Sequence, residues 1–205
     1  MAFCGILLGD WSCDLGYISQ GQWRGGAHHN VNPLDSQVVI RRAERKDLTA
    51  ICSIWMQGVR LAFGLPAPAL EVAETYFADR ITSLTSPFGI WVAETNGVVL
   101  GWQSLQQCRP NPISKMAEAS TYISPNELRN GLGRKLLSFA QQRGIESRFR
   151  HIVAFIKTDN QSAILLYESL GWKRVGVLPY CAEQVDPECA YYAWPVPAGI
   201  NATAS

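Results

Sequence analysis

Ile123-Ser124-Pro125-Asn126-Glu127-Leu128-Arg129-Asn130-Gly131-Leu132-Gly133-Arg134 is the stretch that decides the fold. A run from Ala117 to Ile123 enters it as a strand and is stopped by Ser124-Pro125-Asn126. Beyond the two glycines, Leu132, Leu136, Leu137 and Ala140 mark one face of a helix whose other face carries Arg134, Lys135, Gln141 and Arg143. The chain therefore passes from a strand through a glycine turn into a helix. Amide groups at a helix start have no intrahelical acceptor and lie at the positive end of the macrodipole, so this junction can hold an anion such as a pyrophosphate. Glycine there lets the backbone come close to such a ligand. Gly-x-Gly by itself also fits a plain loop-to-helix junction. The third glycine of a dinucleotide fingerprint is replaced by Leu136, which argues against a Rossmann site.

Upstream, Val38 to Arg42 reads as a first strand, and Arg45 to Val59 carries Leu48, Ile51, Ile54 and Trp55 at helical spacing. Pro66 and Pro68 break the chain before a second helix marked by Ala73, Tyr76, Phe77, Ile81 and Leu84. Ile90 to Thr95 and Val98 to Ser104 flank Asn96-Gly97, a pair that tolerates positive φ and signals a hairpin. Downstream, His151 to Ile156 is a compact strand. Asn160 opens a helix with Ala163, Leu166, Tyr167 and Leu170 on its buried stripe, and Gly171 sits where a C-terminal cap needs positive φ. Trp172 to Leu178 and Ala190 to Trp194 supply two final strands. This order predicts a mixed α/β domain over residues 37–197, between a glycine-rich extension at 1–36 and a tail at 198–205.

At 205 residues the chain suits one well-filled core, and 47% hydrophobic with 17% charged residues is an ordinary globular composition. Eighteen basic against seventeen acidic residues offer no general attraction for nucleic acid or an anionic membrane, so anion binding must be local. Met1 to Gly9 is apolar but short and lacks a basic leader, which predicts no secretory signal. The six cysteines form no C-x-x-C pair and have no histidine at zinc-ligand spacing. They read as thiols in a reducing compartment, and the expectation is a cytoplasmic protein without a metal.

The loop around Gly131 and Gly133 resembles the pyrophosphate loop of GNAT acetyltransferases, whose pattern is Gln or Arg, two residues, Gly, any residue, then Gly or Ala. The first position falls on Leu128, with the arginine displaced to Arg129. A second segment, Asn160-Gln161-Ser162-Ala163-Ile164-Leu165-Leu166-Tyr167-Glu168-Ser169-Leu170-Gly171-Trp172, is similar to the family's N-x-x-A-x-x-L-Y-E-x-L-G-F run with its spacing intact. Ala117-Glu118-Ala119-Ser120-Thr121-Tyr122-Ile123-Ser124-Pro125 looks like the corresponding strand of the phosphinothricin acetyltransferase-like group, which uses its glutamate. Two ordered matches, each on a strand-helix junction, are far more specific than one.

The resemblance implies a mixed, mostly antiparallel seven-stranded sheet flanked by about four helices, with a splayed central strand pair. It further implies direct acetyl transfer from acetyl-CoA to the amine of a small, amino-acid-like molecule. Glu118 and Tyr167 would be the base and the acid, although residue type alone makes them a solvated strand residue and a core aromatic. Expected cofactor contacts are Tyr122, Ile123, Leu128, Arg129, Asn130, Gly131, Leu132, Gly133, Arg134, Asn160 and Ser162. Trp55, Arg60, Phe63, Trp102, Ser104 and Tyr180 would lie on the acceptor side. From Leu178 to Trp194 the chain departs from the phosphinothricin pattern, so its acceptor contacts differ. Acetylation of a protein N-terminus or lysine, and a non-catalytic acyl-CoA-binding module, stay open beside this reading. So does a homodimer.

Overall fold

The computed structural model describes residues 38–63, 69–108, 116–178 and 188–197, without the side chains of residues 62 and 63. Its elements are β1 (Val39–Arg42), α1 (Leu48–Phe63), α2 (Leu70–Ser83), β2 (Gly89–Thr95), β3 (Val98–Gln107) and β4 (Met116–Ile123). They continue with α3 (Leu132–Glu146), β5 (His151–Lys157), α4 (Gln161–Ser169), β6 (Lys173–Leu178) and β7 (Cys189–Pro195). The helical pattern expected from Arg45 begins three residues later, because Arg45–Asp47 form a 3-10 turn. Asp47 closes that turn by accepting from the Glu44 amide at 2.8 Å, and Arg41 grips the same carboxylate at 2.7 and 2.9 Å.

Seven strands form one sheet in the order β1-β2-β3-β4-β5-β7-β6. Every neighbouring pair is antiparallel except β4 and β5. The β2–β3 hairpin closes through Asn96 and Gly97, both at positive φ. Residues on alternate sides of each strand meet different helices, as the two-residue period requires. On one face Ile90, Val92, Trp102 and Tyr122 pack against Ile51, Ile54, Ala73 and Phe77 of α1 and α2. On the other, Ala117, Ala119, Ile152, Ala154 and Ile156 pack against Leu137 and Ala140 of α3 and against Ala163 and Tyr167 of α4.

The parallel pairing is short. Met116, Ala117 and Glu118 pair with His151, Ile152 and Val153, and the ladder ends there. On their outer sides β4 stays in register with β3 from Ala117 to Ile123, and β5 with β7 from His151 to Lys157. The two central strands thus part beyond Glu118, opening a cleft through the middle of the sheet.

Phe77 seats α2 on the sheet, with its ring 5.5 Å from Trp55, 5.4 Å from Trp102 and 5.0 Å from Tyr76, all edge-on. Phe77→Ala should cost ~3–5 kcal/mol of stability. Urea unfolding of the variant against wild type measures this; a loss below ~1 kcal/mol would mean that α2 is held by other contacts.

Candidate active site

The turn between β4 and α3 is built for close backbone approach. A 3-10 turn at Pro125–Glu127 leads to Arg129 at φ 69°, and Gly131 takes φ 79° as the residue before α3. Left-handed backbone is the reason glycine stands at 131. A Cβ built there would meet nothing within 4 Å among the described residues, which leave the space beside it open to a ligand. Gly131, the N-cap residue, makes no side-chain cap bond, so among the described residues it leaves the amides of the first turn of α3 available to an outside acceptor. Packing also constrains Gly133. Its Cβ would come within 2.9 Å of Leu166 and 3.1 Å of Ile123, so this glycine lets α3 pack tightly on α4 and β4.

Other residues around this turn have protein partners. Arg134 donates to Ser169 Oγ at 2.9 Å, and Ser169 donates to the Leu166 carbonyl at 2.7 Å, which ties the start of α3 to the end of α4. Asn160 caps α4, its side chain accepting from the Ala163 amide at 3.1 Å. Ser162 is half-buried in the first turn of that helix. The side chains of Tyr122 and Ile123 are in the core, which leaves only their backbone for ligand contact. Leu128 packs at the edge of the cluster formed by Ile123, Leu132 and Leu136, whereas Arg129 and Asn130 are exposed.

On the opposite face of the sheet, a cavity of about 140 Å³ lies between α1, α2 and strands β2 to β4. As formed by the described residues it is smaller than the few hundred cubic ångströms of a drug-sized site. Trp55, Trp102 and Ser104, three of the residues expected on the acceptor side, meet in its wall. Arg60 lines a separate depression with Met56 and Leu61. Tyr180 and the side chain of Phe63 lie outside the described residues. The sequence reading missed Tyr76, Arg80, Gln106 and Ser120, which complete the polar part of the wall. Tyr76 and Phe77 read as core residues; the signal that their stripe also faces a site was Arg80, one turn further along it.

Cross-strand register places the chemistry. Trp102 faces Tyr122, Ser104 faces Ser120 and Gln106 faces Glu118, all on the side of α1 and α2. Glu118 therefore occupies the last rung before the central strands part and lies one pleat from the cavity residue Ser120. Its Oε1 is buried without a hydrogen-bond partner among the described residues. Burial holds its carboxyl above the ordinary carboxylate range. Burial also raises the Tyr76 hydroxyl, opposed by the Arg80 cation and reinforced by the Glu118 charge, so these groups share one electrostatic neighbourhood.

Tyr167 lies on the α3 and α4 face, fully buried, with its ring 4.8 Å from Trp172 and 6.2 Å from Tyr192. The two residues expected to move protons thus sit on opposite faces of the split sheet. Burial pushes the Cys52 thiol up to about 11, which removes it as a nucleophile. Among the described residues no group of His, Cys, Asp or Glu has metal-binding geometry, and no helix is long and apolar enough to cross a membrane.

Known proteins resemble the chain over most of its length. The peptidyl-lysine N-acetyltransferase YiaC of Escherichia coli K12 is 27% identical over 164 residues, covering 77% of this chain and 97% of the relative. The L-amino acid N-acyltransferase MnaT of the same organism is 29% identical over 141 residues, covering 68% and 82%. In three dimensions the chain resembles a GNAT superfamily phosphinothricin acetyltransferase from Sinorhizobium meliloti solved in complex with AcCoA. The TM-score is 0.67 at 23% identity, with 78% of this chain and 89% of that one covered. A sequence model of the Acetyltransferase (GNAT) family matches residues 52–172. With that match spanning the cavity, the split ladder and the glycine turn, the chain belongs to the GNAT acetyltransferase family.

Proposed function

We propose that the protein transfers the acetyl group of acetyl-CoA directly to the amine of a small, amino-acid-like acceptor, with Glu118 as base and Tyr167 as acid. The observation that carries this reading is the buried carboxyl oxygen of Glu118, without a partner among the described residues, placed where β4 and β5 part and beside a small cavity. A buried carboxyl with no partner costs stability, and an incoming ammonium group supplies the missing donors. MnaT, named for acyl transfer to L-amino acids, supports the acceptor class.

The donor fits the opposite side. Open space at Gly131 and the uncapped start of α3 suit a pyrophosphate, and the cleft beyond Glu118 suits the extended pantetheine arm. Backbone amides near Tyr122 would steady the oxyanion of the tetrahedral state. The acceptor enters from the α1 and α2 face and gives its proton to Glu118, directly or through water. The freed nitrogen lone pair bonds to the thioester carbon, the nitrogen gives up its second proton to solvent, and the carbon–sulfur bond breaks. Its electron pair leaves on sulfur, where Tyr167 returns a proton from the other face. Placement of the two reactants supplies most of the acceleration, with effective molarities of ~10⁵ M or more within reach.

Three measurements test this. Acetyl-CoA at about a hundred times its dissociation constant should stabilise the protein by ~2.7 kcal/mol. No thermal shift with any CoA thioester would remove the donor. Glu118→Gln should lower turnover by about 10²- to 10⁴-fold while sparing acetyl-CoA affinity. The wild-type rate should fall as pH drops through a value above the ordinary carboxylate range, since only the ionised form is a base.

Stability moves the other way. A carboxyl whose folded pKa is raised stabilises fully below its unfolded value, and that contribution is lost as pH rises through the folded one. Glu118→Gln should therefore melt above wild type at neutral pH and level with it near pH 4, about the ordinary carboxylate value. Equal melting at both would mean that the carboxyl is solvated. Tyr167→Phe should cost about 10²-fold in turnover with little change in acetyl-CoA binding; full activity would return Tyr167 to a packing role.

A further inference from the structure

Arg80 places a cation with unused donors in the wall of the acceptor cavity. Its guanidinium carbon lies 3.3 Å from the centroid of the Tyr76 ring, which fixes the plane of the group. Nε donates to Gln106 Oε1 at 3.1 Å, and Nη1 reaches the Tyr76 carbonyl only at 3.4 Å. The Tyr76 hydroxyl also takes a side-chain hydrogen bond from Arg80, which leaves further donors of the guanidinium without a bond in the described residues, and no carboxylate there forms a salt bridge with it. A cation held in place on two sides and uncompensated on a third is set to receive an anion.

The neighbouring polar atoms indicate what else that anion carries. Gln106, which holds Arg80, stands directly across the ladder from Glu118, so one side chain separates the cation from the carboxyl. No salt bridge joins the two, and Glu118 Oε1 has no hydrogen-bond partner among the described residues. Ser104 Oγ, in the same cavity wall, is also buried without one. The rest of the wall is largely apolar, with Trp55, Val72, Phe77 and Trp102. A ligand that meets all of these needs has an amine, a carboxylate a short distance from it, and an apolar side chain.

We propose that Arg80, oriented by Tyr76 and Gln106, binds the carboxylate of the acceptor and makes the site selective for amino acids over simple amines. This rests on the acceptor reading above and adds the residue that enforces it. Arginine suits the task because its planar donors can engage a carboxylate bidentately, which a lysine ammonium cannot.

The test compares leucine with isoamylamine, its decarboxylated counterpart, and with leucinamide, whose carboxylate is masked. Wild type should prefer leucine. Arg80→Met should lower kcat/KM for leucine about 10- to 100-fold, chiefly through KM, while leaving isoamylamine, leucinamide and acetyl-CoA binding unchanged. Arg80→Lys should restore part of the preference, since it returns the charge without the planar donors. Gln106→Leu, which frees the Arg80 Nε without altering α2, should weaken the preference in the same direction and serves if Arg80→Met fails to fold. A leucine-to-isoamylamine ratio that stays at the wild-type value in these variants overturns the inference and leaves the acetyltransferase reading intact. A wild type that binds acetyl-CoA yet acetylates no amine overturns the acceptor reading, and this inference with it.

Discussion

The structure depends on a parallel ladder that ends after three rungs. β4 and β5 pair only from Met116 to Glu118 and from His151 to Val153. They can part without leaving the sheet in pieces because each is held in full antiparallel register by its other neighbour, β3 for β4 and β7 for β5. Ile123, at the free end of β4, is further locked by Leu100, Leu132 and Leu136. The cleft is therefore a property of two well-made half-sheets and does not require a strained one. Because side chains alternate along β4, Glu118 falls on one side of that cleft, while the α4 residue Tyr167 packs on the other. Donor and acceptor can then approach a common point from opposite faces.

The same two strands show how the protein treats polar groups that have a task and those that do not. On the α3 and α4 face, Gln103 and Thr121 are fully buried and satisfy one another: Thr121 donates to the Gln103 carbonyl oxygen, and Gln103 donates to the Ser104 carbonyl at 2.8 Å. Their rung is a closed polar pair. One pleat away, on the cavity face, Ser104 Oγ and Glu118 Oε1 are buried and open. Leaving a buried polar atom without a partner costs ~1–3 kcal/mol, and both exceptions on these two strands lie beside one cavity. Such localised cost is what a binding site looks like before its ligand arrives.

The elements were legible in the sequence because each carries a clean period or a strong break. Asn96-Gly97 marks the hairpin, Gly131 the entry to α3, and Gly171, at positive φ, the exit from α4. The convergence of Trp55, Trp102 and Ser104 on one cavity was legible through the family pattern. The place of β7 between β5 and β6 was not, since strand order along the chain carries no information about an insertion at the sheet edge. Nor was the rung that joins Gln106 to Glu118, because a long connection between β3 and β4 leaves their register free until the packing on both faces sets it. Gly133 was read as room for a ligand, and what the sequence did not show is a second demand on it, room for Leu166 and Ile123, whose approach only the tertiary packing determines.

Overall similarity does not separate a small acceptor from a protein lysine, since the peptidyl-lysine and L-amino acid enzymes match at 27% and 29% identity. The proposed choice between them rests on the charges around the cavity. A lysine side chain brings an ammonium group on an apolar stem, which answers Glu118 but leaves Arg80 uncompensated. In the proposed mode an amino acid would bring its own carboxylate to Arg80 while its amine reaches Glu118. The proposed preference for a zwitterion thus rests on a cation in the cavity wall and, across the Gln106 rung beside that cavity, a carboxyl oxygen with no partner among the described residues.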